Sequence, residues 1–133
     1  MLIPLKQTGN FCLPLIGLGT WGMGGWYVRN RSNDDERDIT AIAAAYRLGI
    51  RHFDTAEIYA EGHAEELLGQ AHQSLPRHEL IVASKVRPEN FGYDDLIASC
   101  KASLERLQTT YLDLYLLHAP NAVIPIKETM RAM

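Results

Sequence analysis

A recurrence constrains this chain more than any single residue does. Short apolar runs return at nearly constant spacing, and each ends on a polar residue. Ile50–Phe53 ends at Asp54, Leu80–Ser84 at Lys85 and Tyr111–Leu117 at His118. Asp54 to Lys85 is 31 positions, and Lys85 to His118 is 33. One strand–helix–strand unit takes about 30 residues or more. The stretches between the runs have helical periodicity. Ile39, Ile42, Ala43 and Tyr46 form one stripe, and Ala64, Leu67, Leu68 and Ala71 a second. Leu96, Ile97, Cys100, Leu104 and Leu107 form a third. Apolar residues at i, i+3, i+4 and i+7 mark a helix with one buried face. Strands alternating with such helices predict a parallel sheet with helices outside it.

Local signals set the boundaries. Two extended runs, 2–6 and 10–14, flank Thr8-Gly9-Asn10 and predict a hairpin. Pro4 and Pro14 confine both runs to edge positions. Leu15–Gly19 reads as a first core strand, followed by a long glycine-rich loop over 20–33 that holds Trp21 and Trp26. Loops of this length in a compact domain are usually functional or mobile. Asn33 or Asp34 caps a helix running to Leu48, with Gly49 as its stop. Further helices are expected over His63–Ser74 and Tyr93–Leu107, and a last one from Pro125, a residue suited to a first helical position. No linker or low-complexity segment divides residues 1–133, so one domain is expected.

Composition excludes several classes. A net charge of −3 gives no reason to expect a nucleic-acid or membrane partner. Cys12 and Cys100 form no close-spaced pair, which fits a reduced compartment and no zinc site. No apolar run approaches the ~20 residues of a membrane span. Met1–Lys6 lacks the pattern of a signal peptide. A cytoplasmic location is the resulting expectation.

The regular spacing places Asp54, Lys85 and His118 at the carboxyl ends of successive parallel strands, where α/β folds carry out chemistry. Alternation puts Asp54 on a face with His52 and Ile50, and Lys85 with Ala83 and Ile81. It puts His118 with Leu116, Leu114 and Leu112. If the sheet curves, the three polar ends point into one mouth, and Tyr59 in the next loop folds over it. Each residue alone has an ordinary structural reading, as a turn former, a snorkelling cation, a hydrogen-bonded histidine or loop packing. Together they suggest proton delivery. A free phenol ionises near pH ~10, and a lysine cation beside it favours the phenolate. Asp54 would hold that ammonium, and His118 would orient a substrate carbonyl. The hydride such a reduction needs must come from a cofactor.

The sequence resembles the aldo-keto reductase family. The resemblance is carried by Gly17-Leu18-Gly19-Thr20-Trp21 and by Gly49-Ile50-Arg51-His52-Phe53-Asp54-Thr55-Ala56 with Tyr59. It continues through Glu65-Glu66-Leu67-Leu68-Gly69, Ser84-Lys85 and Ser103-Leu104-Glu105-Arg106-Leu107. Leu112-Asp113-Leu114-Tyr115-Leu116-Leu117-His118 with Pro120 completes it. The resemblance implies a TIM-type (β/α)8 barrel closed at its base by the hairpin. It also implies reduction of aldehydes or ketones with NADPH, or in some members NADH. By position, Tyr59 matches the general acid, Lys85 and Asp54 the residues that tune it, and His118 the residue that orients the carbonyl. Thr20 and Asp54 match positions near the nicotinamide ribose, and Trp21 and His118 match positions that line the substrate pocket. Ala119 departs from the aromatic residue many relatives carry.

Length is the larger departure. A (β/α)8 barrel takes about 250 residues. The expectation is therefore the amino-terminal half-barrel: a hairpin, four strands and three to four helices, incomplete at the carboxyl end. The second half of such a barrel carries most of the cofactor grip. Arg29 and Arg31 read as a solvated loop face rather than a replacement for it. Open strand edges invite pairing with another chain. A 133-residue piece alone is therefore expected to self-associate or aggregate. Two other functions compete: a truncated, non-catalytic relative that binds partners, as channel-associated members of the family do, and a metal-dependent barrel hydrolase using His52, Asp54 and His118. The second leaves Lys85 and Tyr59 without a role.

Overall fold

In the computed structural model, which describes residues 3–9 and 11–133, a four-stranded parallel sheet organises the chain. Its strands are β3 (Leu18–Gly19), β4 (His52–Asp54), β5 (Ile81–Val86) and β6 (Leu114–Leu117), in that spatial order. Helices α1 (Asp35–Arg47), α2 (His63–His72) and α3 (Tyr93–Arg106) connect them, and α4 (Ile126–Ala132) follows β6. The strand–helix alternation read from spacing is the observed order, and the architecture is half of a barrel. A separate antiparallel hairpin, β1 (Leu5–Thr8) with β2 (Phe11–Pro14), precedes it. Gly9 turns this hairpin with φ 59°. The expected partner in the turn, Asn10, lies outside the described residues.

Helix α1 illustrates how local chemistry sets a boundary. Asp34 Oδ1 accepts from the Arg37 amide at 3.0 Å, capping the first turn. Asp35, Glu36 and Asp38 complement the positive end of the helix dipole. At the other end Gly49 adopts φ 99°, and the amides of Gly49 and Ile50 donate to Tyr46 and Ala45 carbonyls at 2.9 and 3.0 Å. These bonds satisfy carbonyls the helix leaves open.

The main core lies between the sheet and its helices. Ile42 of α1, Phe53 of β4, Leu68 and Ala71 of α2, Val82 of β5, and Leu80 and Leu107 form one buried cluster. Burying each large side chain contributes roughly 1.5–3 kcal/mol. Phe53, Val82, Ser84, Val86 and Tyr115 therefore point outward to the helices. Asp54, Ala83, Lys85, Leu114, Leu116 and His118 share the inner face.

Three expectations change in detail. The first core strand is two residues rather than five, because the Leu15 amide is spent on Pro4 O at 2.9 Å, tying that stretch to the hairpin. Ile50 and Leu112 pack with the helix-side core, not the inner face, because β4 and β6 begin only at His52 and Leu114. On α3 the most buried positions are Leu96, Ser99 and Ser103, not the full apolar stripe. The small serines let α3 approach closely. Ser99 Oγ accepts from Asn90 Nδ2 at 2.8 Å. A Cβ on Gly69 of α2 would lie 2.5 Å from the Arg106 carbonyl oxygen.

Candidate active site

The strand ends are staggered. Asp54 pairs with Ala83, so Lys85 lies two residues further along β5. Lys85 pairs with Leu116, so His118 lies two residues further again. This offset accompanies strand tilt in a curving sheet. It carries the three side chains around one mouth.

Lys85 is the centre of the cluster. Its Nζ donates to Asp54 Oδ2 at 2.7 Å, to the Thr55 carbonyl at 2.8 Å and to the Tyr59 hydroxyl oxygen at 3.2 Å. An ammonium has three donors, so all three are used and its position is fixed. Nζ also lies 4.9 Å from the Tyr59 ring centroid, within cation–π range. As the Tyr59 oxygen accepts from Lys85, its own hydrogen is left to donate elsewhere. Asp54 is engaged through Oδ2, its side chain is 35% exposed, and Oδ1 has no bond among the described residues.

Aromatic rings frame the phenol. Trp21 meets Tyr59 edge-on with centroids 4.8 Å apart, and His118 meets it edge-on at 5.5 Å. These contacts leave Tyr59 only 9% exposed, with its hydroxyl end at Lys85. His118 Nδ1 is buried without a partner among the described residues. Burial pushes the His118 imidazolium below its usual range, and the Lys85 charge adds to this. Asp54 and Glu57 oppose the shift. His118 is therefore neutral at neutral pH, with a ring nitrogen available to a carbonyl group or an alcohol.

Thr20 is fully buried. Its hydroxyl donates to Thr55 Oγ1 at 2.9 Å and its amide to Asp54 O at 2.9 Å. It thus locks the ends of β3 and β4 together behind Asp54. The structure brings Asp54, Tyr59, Lys85, His118, Thr20 and Trp21 into one neighbourhood. His52 lies two residues back along the inner face from Asp54, beneath Gly17, where a Cβ would come within 2.7 Å of its Nδ1. Among the described residues no three His, Cys, Asp or Glu side chains are grouped to hold a metal.

Sequence reasoning missed several participants. Thr55 supplies a carbonyl to Lys85. Glu57 is buried and accepts from the Arg87 amide at 2.7 Å and from Asn90 Nδ2 at 3.1 Å, bracing the loop beside Tyr59. The turn after Tyr59 is left-handed at Ala60 and Glu61, a conformation costing roughly 1–2 kcal/mol for each non-glycine residue.

The family model for the aldo/keto reductase family matches residues 15–133. The chain belongs to the aldo/keto reductase family. Methylglyoxal reductase YeaE of Escherichia coli is 41% identical over 129 residues, covering 97% of this chain and 43% of that relative. The thermostable aldo-keto reductase Tm1743, solved with the inhibitor epalrestat, superposes with a TM-score of 0.93 at 42% identity. That match covers 97% of this chain and 47% of Tm1743. An aldo/keto reductase from Klebsiella pneumoniae, solved with NADP and acetate, gives a TM-score of 0.82 at 42% identity over 92% of this chain and 41% of its own. The chain thus spans less than half the length of these aldo/keto reductases. No helix in the described residues is long and apolar enough to cross a membrane.

Proposed function

We propose that this chain carries the proton-delivery site of a carbonyl reductase that converts aldehydes or ketones to alcohols with NADPH. One observation supports this above the others: a fully engaged Lys85 ammonium bridges Asp54 and the Tyr59 oxygen, leaving the phenol hydrogen free. Two further atoms fit a nicotinamide cofactor and a carbonyl beside it. Asp54 Oδ1 has no partner among the described residues, and neither does His118 Nε2, which unlike the buried Nδ1 is accessible.

The hydride for the carbonyl carbon would come from NADPH when it is bound. Tyr59 gives its proton to the oxygen as negative charge develops there. The Lys85 ammonium stabilises the phenolate left behind, and Asp54 and the Thr55 carbonyl keep that ammonium from swinging away. His118, neutral, hydrogen-bonds the carbonyl oxygen and fixes its direction. Trp21 closes one side of the pocket and lowers the local dielectric. Thr20 holds the strand end that carries Asp54, the residue that would take a ribose hydroxyl. A proton from solvent restores the phenol, so one carbonyl, one reduced cofactor and one proton give one alcohol and one oxidised cofactor.

The test is a titration of the full gene product with NADPH and, separately, NADH, followed by turnover of a generic aldehyde. Quenching of cofactor fluorescence together with aldehyde-dependent oxidation is the expected result. Absence of cofactor binding would favour the non-catalytic binding subunit. The inner face carries a second proposal, self-association. β3 and β6 each have one edge without a ladder partner among the described residues, and Leu116 beside His118 is 41% exposed. Light scattering of the 133-residue chain should show species larger than a monomer, and a monodisperse monomer would contradict this.

A further inference from the structure

Tyr59 is followed by three residues with positive φ: Ala60 at 49°, Glu61 at 59° and Gly62 at 90°. Glycine takes this conformation freely. Ala60 and Glu61 take it against their own Cβ atoms, and such backbone persists only where its surroundings over-determine it. Here the surroundings are the tip of the 20–33 loop. The Ala60 amide donates to Trp26 O at 2.5 Å, and the Glu61 amide to Tyr27 O at 3.1 Å. Glu61 Oε2 accepts from the Arg29 amide at 3.1 Å. Three hydrogen bonds thus tie two strained residues to one loop tip.

That tip carries aromatic rings the proton-delivery cluster does not use. Trp21, which touches Tyr59, also meets Trp26 edge-on at 5.3 Å and Tyr27 at 4.8 Å. Trp26 and Tyr27 are each 62% exposed, so burial does not hold them in place. The neck of the loop is anchored separately, by Gly24 N donating to Asp38 Oδ2 at 2.9 Å and Asn30 N to Gly24 O at 2.8 Å. The strained turn is what ties the tip to the phenol.

We propose that the Ala60–Glu61 turn is a clamp, with Glu61 as a positioning residue, that sets Trp26 and Tyr27 as a second aromatic wall beside Tyr59. The wall selects carbonyl substrates bearing a flat aromatic group over small aliphatic ones. This substrate selection rests on the carbonyl reductase reading of the site, whereas the clamp itself does not.

Both tryptophans of residues 1–133, Trp21 and Trp26, lie in this loop, and the emission that belongs to the tip is the part lost in Trp26→Phe. The experiment compares the full gene product with Glu61→Ala, which removes the acceptor for Arg29, and Glu61→Gln, which keeps an amide oxygen there. Acrylamide quenching of tryptophan is measured first. Steady-state kinetics with 4-nitrobenzaldehyde and butanal follow. For Glu61→Ala the quenching constant should rise about two-fold as the tip opens. KM for the aromatic aldehyde should rise about five-fold, the effect of one lost hydrogen bond, with the change in KM larger than that in kcat. KM for butanal should stay near wild type, and Glu61→Gln should restore both readouts. Tyr27→Ala, which leaves the backbone bonds in place, should lower the aromatic-to-aliphatic ratio of kcat/KM by about five-fold. Unchanged quenching in a folded Glu61→Ala would overturn the clamp. Equal KM changes for both aldehydes, or an unaltered ratio in Tyr27→Ala, would overturn the selectivity. If the wild type turns over neither aldehyde, the reductase reading fails, and quenching alone still decides the clamp. If Glu61→Ala does not fold, Glu61→Gly, which removes the same acceptor and takes φ 59° freely, replaces it with the same expected and overturning results.

Discussion

Ser84 and Lys85 are neighbours on β5 and point to opposite faces of the sheet. On the outer face, Ser84 Oγ donates to Glu65 Oε1 at 2.5 Å, and Arg106 Nε donates to Glu65 Oε2 at 2.7 Å. On the inner face, Lys85 Nζ donates to Asp54 Oδ2 at 2.7 Å. Each face thus has a carboxylate–cation pair at the same separation, and each has a tyrosine nearby. The Glu65 side chain is wholly buried, and both of its oxygens are satisfied. Its valences are closed, and its effect is to join α2, α3 and β5. The inner pair stays open. Asp54 keeps one oxygen without a partner among the described residues, and the third donor of Lys85 reaches a phenol. Tyr115 on the outer face has its hydroxyl buried without a partner among the described residues, and burial pushes its phenol well above the usual range. The contrast separates structure from chemistry: a saturated pair holds elements together, whereas an unsaturated one has capacity left for a substrate.

The difference can be broken on either side. The largest effect is expected from Lys85→Met. Turnover should fall by roughly 10²–10⁴, the usual share of positioned acid–base catalysis. The melting temperature should move little, because Asp54 can be solvated from the mouth. Steady-state kinetics beside a thermal melt would check both halves. Glu65→Ala should do the reverse. It strands Arg106 and Ser84 at the α2–α3 junction and should cost about 3–5 kcal/mol in urea unfolding, while material that remains folded still binds cofactor.

A smaller effect should appear with pH. Burial lowers His118 on the inner face and His72 on the outer face from 6.5. His72 Nε2 bonds the Leu107 carbonyl. The unfolded chain therefore takes up protons more readily than the folded one. Stability should be full above pH 6.5 and fall as pH drops through the lowered values. Melting temperatures between pH 7.5 and 5 should decline, and His72→Gln should make the decline shallower. The smallest effect is a gain. Tyr115→Phe removes a buried hydroxyl without a partner and should raise stability by about 1 kcal/mol in the same urea assay.

Much of this was legible because it is local or periodic. Asp34 caps α1 and Gly49 stops it through contacts within a few residues. Asp54, Lys85 and His118 reach one mouth because strand–helix units repeat at near-constant length. What escaped depends on contacts distant in sequence. Tyr59–Gly62 reads as a polar loop entering a helix, and its left-handed turn is demanded by Trp26 and Tyr27, more than 30 residues earlier. Glu65 sits beside the apolar stripe of α2, and periodicity alone gives it no role. Its burial needs Arg106, from the next helix. Ile50 and Leu112 were placed on the inner face by extending alternation past the true strand starts, where the chain still follows the turn geometry.

The central claim is that the Tyr59 hydroxyl delivers the proton. It is tested most directly by Tyr59→Phe in the full gene product, assayed for NADPH oxidation with 4-nitrobenzaldehyde alongside cofactor quenching and a melt. The substitution removes one oxygen and leaves the ring between Trp21 and His118. Turnover is predicted to fall by roughly 10²–10⁴, with cofactor binding kept and stability within about 1 kcal/mol of wild type. Turnover at the wild-type rate in a folded, cofactor-binding Tyr59→Phe would contradict the account.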